Sequence, residues 1–149
     1  MKKFQFSLGK LKGYKEQLLD REKNSLAFIT AQRQKLEDEK EAAIIELRRS
    51  SAEFSDRARV GVSIMQMNVF KSYQHSLNMR VKDIDEAVTE LSQRIEKQLE
   101  RVVEATKDVK GLEKLEERQL ETYRAEELKA DENFIAEYVN NIAVRSGRY

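Results

Sequence analysis

From Leu77 the apolar positions run Val81, Ile84, Val88, Leu91, Ile95, Gln98, Val102, Ala105, Val109 and Leu112. They alternate spacings of four and three, the period of a helical stripe that faces one partner helix. Ten of the eleven are apolar, with Gln98 the single polar member. A second, less regular stripe precedes it: Leu26, Ile29, Arg33, Leu36, Lys40, Ala43, Leu47, Ser50 and Phe54. Six of these nine are apolar, and Arg33 and Lys40 can lay their methylene stems along an interface while their heads stay in water. Leu8, Leu11, Leu18 and Leu19 broaden this stripe toward the N-terminus.

Between the stripes lies Arg59-Val60-Gly61-Val62-Ser63, where a glycine meets a helix-start signal. Gly61 can take the left-handed conformation that closes a first helix. Ser63 and Gln66 have the spacing of a capping box, each side chain serving the other's backbone N–H, with Val62 and Met67 at the staple positions. The pattern predicts an all-α fold, a two-helix antiparallel coiled-coil hairpin in one domain over residues 1–149. Helix 1 spans about 6–60 and helix 2 about 64–143, with the turn near Gly61–Ser63. Such a fold brings Leu8 opposite roughly residue 116. The longer second helix then overhangs its partner by about 25 residues, roughly 40 Å.

The seam changes where that overhang should begin. Glu116 and Gln119 occupy the next two seam positions, just beyond Gly111. A glycine inside a helix costs about 1 kcal/mol relative to alanine, so Gly111 marks either a bend or a tolerated substitution. A new stripe follows: Leu120, Tyr123, Leu128, Ile135, Tyr138, Val139 and Ile142. In the overhang it has no partner within the chain, and an unburied amphipathic face marks an interaction surface.

Composition sharpens this picture. The 149 residues include no proline, where about 5% is ordinary, and 37% are charged. There is no cysteine and no tryptophan. A two-helix seam shields few side chains against the entropy of ordering the chain, so modest stability alone and a gain on binding are expected. No apolar run reaches the length of a membrane span, and the stretch from Phe4 to Gly13 is too polar for a secretory signal. A soluble, cytoplasmic protein is expected.

The net charge of +1 conceals an uneven distribution. Residues 1–24 hold seven basic and three acidic side chains, residues 57–82 five basic and no acidic ones, and residues 83–149 eleven basic and seventeen acidic. Most of this reads as a solvated helix surface, and the acid-free turn is the part that stands out.

Catalytic chemistry finds little to build on. His75, which reads as a polar flank of the turn region, is the single histidine. Histidine-pair metal sites and thiolate chemistry therefore lack their residues. The five scattered glycines make neither a phosphate-binding loop nor a dinucleotide fingerprint. No lysine/arginine cluster tracks a helix face as phosphate binding would require, even with Phe70 and Tyr73 available to stack a base. A non-enzymatic protein with no cofactor, no metal and no nucleic-acid partner is expected.

The ends of the chain are distinctive. Met1-Lys2-Lys3-Phe4-Gln5-Phe6-Ser7-Leu8, then Tyr14-Lys15-Glu16-Gln17-Leu18, resembles the opening of the FliJ family of flagellar export proteins. The stretch Gly111-Leu112-Glu113-Lys114-Leu115-Glu116-Glu117-Arg118, followed by Tyr123 and a charged run to Asp131, is similar to that family's C-terminal pattern. The resemblance covers essentially the whole chain. It implies a soluble component of the flagellar type III export apparatus on the cytoplasmic side of the membrane, peripherally associated with it through partners. A hairpin of this kind resembles the central stalk of rotary ATPases. The partners implied are a hexameric export ATPase, the cytoplasmic domain of the export gate, and substrate chaperones. Aligned to the family, Leu47, Phe54, Tyr73 and Leu77 correspond to gate contacts, although ordinary seam packing also explains Leu47 and Leu77. The stripe Leu120, Tyr123, Leu128, Ile135, Tyr138 and Ile142 is the expected ATPase-binding face. Two other readings suit the same residues: the stalk of a virulence secretion system or rotary ATPase, and a structural coiled coil that closes a homodimer through the C-terminal stripe.

Overall fold

A computed structural model describes residues 2–147 and contains two long helices, α1 (Gly9–Val60) and α2 (Ile64–Arg145), packed against each other as a hairpin. The described residues include no strand. All eleven positions from Leu77 to Leu112, and all nine from Leu26 to Phe54, are buried or half-buried. The most enclosed apolar side chains are Ile29, Ala43, Ile84, Ala105 and Val109, every one a member of these stripes. Periodicity alone thus identifies the packed faces.

The turn forms as its sequence dictates. Gly61 has φ +118°, and its N–H bonds the Arg57 carbonyl at 3.1 Å. A Cβ there would meet nothing within 4 Å, so backbone conformation and not crowding calls for glycine. Ser63 N–H donates to Gln66 Oε1 at 2.9 Å, and Gln66 N–H donates to Ser63 Oγ at 3.1 Å. This reciprocal pair satisfies two of the donors that a helix start leaves open.

Both outer ends differ from expectation by a few residues. Helix α1 begins at Gly9 rather than near residue 6. Its first turn contains no acidic residue and includes Lys10 and Lys12, a charge placement that opposes the helix dipole. Helix α2 runs to Arg145 rather than stopping near residue 143, and ends beside Gly147, whose φ is +67°. Gly111 lies within α2, which continues through it; a Cβ there would also meet nothing within 4 Å.

Packing divides into two compact units. One is Arg21–Val103; the other joins Met1–Asp20 to Glu104–Tyr149. In the first, partners on α2 rise in number as those on α1 fall, as antiparallel pairing demands. Lys40 Nζ meets Asp85 at 2.5 Å while its stem is half-buried, and Gln98 meets Glu22. Ser50 is buried, donates to the Leu47 carbonyl at 3.1 Å and accepts from Gln74 Nε2 at 2.6 Å. Among the described residues no buried side-chain nitrogen or oxygen lacks a partner. The polar positions of the seam are therefore satisfied rather than merely tolerated.

In the second unit the seam stays apolar at Ala105, Val109 and Leu112, with ionic pairs beside and beyond it. Lys15 pairs with Asp108 at 3.4 Å and Lys12 with Glu116 at 2.6 Å, while Ser7 Oγ donates to Gln119 at 3.4 Å. The Glu116 and Gln119 positions that interrupt the apolar pattern are thus met by polar groups of the N-terminal segment.

Candidate functional site

The turn-proximal candidates in the unit Arg21–Val103 fall into two environments. Leu47 and Leu77 are half-buried members of the two seams. Phe54, the last seam position of α1, and Tyr73 line an open cleft of about 450 Å³ beside the turn. Phe54 stacks on Phe70 with ring centroids 4.0 Å apart and planes within 5° of parallel. Val62, Met65 and Val69 complete the apolar lining, and Arg49 and Arg57 stand among the polar residues of the cleft.

Tyr73 is 43% exposed, but its hydroxyl is committed: it donates to Glu46 Oε1 at 2.6 Å. Arg49 donates to both oxygens of the same carboxylate, at 2.6 and 2.8 Å, and reaches Glu53 at 3.0 Å. Arg57 closes the row on Glu53 at 2.9 Å. These residues lie three or four apart along α1, the spacing at which helix side chains meet. The Arg49 guanidinium, and after it the Tyr73 hydroxyl, lower the Glu46 carboxyl to about 2. The same contacts raise Arg49 and Tyr73, with Glu46 the first cause in each case. This row of charge, of which Arg49, Glu53 and Arg57 reach the cleft, was missed in the sequence. The Glu46, Arg49, Glu53, Arg57 spacing signals it, but the Tyr73 contribution requires the helix pairing.

In the other unit the predicted C-terminal stripe divides at Tyr123. Leu120 and Tyr123 are half-buried, not bare. Residues 2–8 precede α1 without helical structure until the turn at Ser7, and lie along α2. Phe4 packs against Tyr123 with ring centroids 5.6 Å apart, tilted by 52°, and the Tyr123 hydroxyl donates to the Lys2 carbonyl. The signal for this strap is an alternation: Phe4 and Phe6 are half-buried while Gln5 and Ser7 are exposed. That period of two belongs to extended chain, not to helix.

Beyond Tyr123 the stripe is open. From Arg124 to Gly147 every residue except Ala143 is exposed. Leu128, Ile135 and Tyr138 are each about three-fifths exposed, and Ile142 about half. Leu128, Ile135 and Ile142 follow one another at seven-residue intervals, with Tyr138 at the intermediate position, so one face gathers them. A helix of this length, about 33 Å from Arg124 to Arg145, has no packing of its own to cover that face.

The described residues include no cluster of histidine, cysteine or acidic side chains able to hold a metal ion. No helix among them is long and apolar enough to cross a membrane. What these surfaces offer is contact: a stacked aromatic cleft beside the turn in one unit and an open apolar helix face in the other.

The fold is that of an all-α protein built from two long packed helices. The chain belongs to the FliJ family, whose model, described as flagellar FliJ protein, matches residues 4–148. Members are chaperone-like structural components of the flagellar export apparatus. No curated protein and no solved structure matches the chain beyond chance.

Proposed function

We propose that this chain is a non-enzymatic stalk of the flagellar type III export apparatus, acting as a single hairpin domain. It engages the hexameric export ATPase through α2 beyond Tyr123 and the cytoplasmic domain of the export gate through residues near the turn. The observation that carries this reading is the open face of Leu128, Ile135, Tyr138 and Ile142 on a continuous helix. An exposed apolar stripe at helical spacing suits insertion into a ring lined by other helices. Leu120 and Tyr123 extend the face only where the Phe4 strap is lifted.

At the turn, Phe54 and Tyr73 offer the gate an aromatic cleft, whereas Leu47 and Leu77 support it from the seam. Substrate chaperones are further partners of the family, and the protein works in the cytoplasm, held at the membrane by its partners alone.

The test is photo-crosslinking in the bacterium that makes the protein. A photoreactive amino acid at Ile135 should capture the export ATPase, and one at Tyr73 the gate subunit. Capture of the same partner from both positions, or of neither export component, would overturn the assignment.

A further inference from the structure

The first two turns of α2 present an exposed apolar face that adjoins the cleft, with Met65 and Val69 lining both. Ile64 is 80% exposed, Met65 77% and Val69 65%, and Val60 at the end of α1 is barer still at 92%. Ile64, Met65 and Val69 share one shallow hollow with Asn68 and Ser72, positions that recur at helical spacing along α2. Large apolar side chains this bare, gathered on two turns, define a contact surface.

Charge says what covers it. Residues 46–82 carry seven cations (Arg48, Arg49, Arg57, Arg59, Lys71, Arg80, Lys82) against three carboxylates, Glu46, Glu53 and Asp56. Glu46 and Glu53 are bound to Arg49 and Arg57, and Asp56 stands 4.0 Å from Arg59. The region keeps a net of four positive charges, and the Asp56–Arg59 pair, with both side chains more than three-quarters exposed, leaves Arg59 open to a partner. Arg59 itself is four-fifths exposed.

A second copy of this chain is a poor occupant, because two such ends would set cations against cations. A lipid surface is a poor occupant for a different reason. The Asn68 amide and Ser72 hydroxyl sit inside the hollow, and hydrocarbon would strip their water without replacing its hydrogen bonds. A protein helix can supply both polar partners and apolar contacts. We infer that the turn-proximal face of α2, centred on Ile64, Met65 and Val69, docks an acidic amphipathic helix of a partner protein. The helix lays its apolar side on these three residues and its carboxylates toward Arg59 and Lys71, the helix-in-groove mode of recognition. Because Met65 and Val69 also line the cleft offered to the gate, this inference rests on that reading. It names the chemistry of the segment that the cleft region takes, and the peptide experiment fails or succeeds apart from the crosslink at Tyr73.

The experiment uses the full chain and a fluorescein-labelled synthetic helix of about fifteen residues, with leucines at i, i+3, i+4 and i+7 and glutamates elsewhere. Fluorescence anisotropy should detect saturable binding that weakens as salt rises. Ile64→Ser/Val69→Ser should weaken it about tenfold or more at unchanged helix content, and Arg59→Glu/Lys71→Glu should do the same. The same peptide with lysine in place of glutamate should not bind. Absence of binding by the glutamate peptide, equal binding by both peptides, or unchanged binding by the Ile64→Ser/Val69→Ser variant would overturn the inference. So would binding to phosphatidylglycerol vesicles that outcompetes the glutamate peptide through the same side chains, which would identify a lipid surface.

Discussion

Gln98, 7% exposed in the seam of α2, donates its side-chain amide to the backbone carbonyl of Glu22 at 3.0 Å and to the Glu22 carboxylate. A polar group at one position of an apolar seam favours the register in which it finds its partner, at a cost in stability. Gln98→Leu is expected to raise the melting temperature by a few degrees while loosening register. Spin labels placed on α1 and α2 in the Arg21–Val103 unit should then give a broader distance distribution in the variant. An unchanged, narrow distribution would show that the apolar positions alone set the register.

Glu46 supplies a pH-dependent prediction. Its folded value of about 2 lies below the ordinary 4.5. A group depressed in the folded state contributes its stabilisation fully above the unfolded value and loses it as pH falls from about 4.5 toward 2. Carbon-13 NMR titration of the Glu46 carboxyl should show it rising in Tyr73→Phe, and rising further in Arg49→Gln, because Arg49 is the larger cause.

The glycines separate by conformation. Gly61→Ala places a side chain at φ +118° and is expected to destabilise the turn by about 1 kcal/mol. Gly111→Ala sits in the interior of α2 with open space around the new methyl group, and should stabilise by roughly the same amount. Thermal unfolding followed by circular dichroism should move in opposite directions for the two variants.

The N-terminal strap rests on one aromatic pair, the Tyr123 hydroxyl bond and the Ser7–Gln119 contact. Phe4→Ala removes a ring interaction of about 0.5–1.5 kcal/mol beyond its area. Amide hydrogen exchange of residues 2–8 should accelerate several-fold, with exchange in the Arg21–Val103 unit unchanged. Equal exchange in variant and parent would mean that the Lys12–Glu116 and Lys15–Asp108 pairs hold the segment.

The helices and the turn were legible because each rests on local, periodic information. The 3–4 spacing from Leu77 to Leu112 requires a packed face, and Ser63 and Gln66 lie three residues apart, so their reciprocal bonds need no tertiary context. What escaped was cross-chain. Tyr123 reads as a member of an open stripe because nothing near it in sequence announces Phe4, 119 residues earlier. Likewise Tyr73 reads as a free aromatic until α1 brings Glu46 within reach of its hydroxyl. The ionic closure of the seam at Glu116 follows the same logic: in sequence the position breaks a pattern, while in the fold Lys12 completes it.

The most direct test of the stalk reading is binding of the purified chain to a hexameric flagellar export ATPase, parent against Leu128→Glu/Ile135→Glu. Both side chains are exposed, so the substitutions should leave helix content and melting temperature unchanged. The parent should co-sediment with the hexamer, and the double variant should lose about a hundredfold in affinity. Equal binding by the parent and the variant would contradict the assignment of α2 beyond Tyr123 as the ring-contacting face.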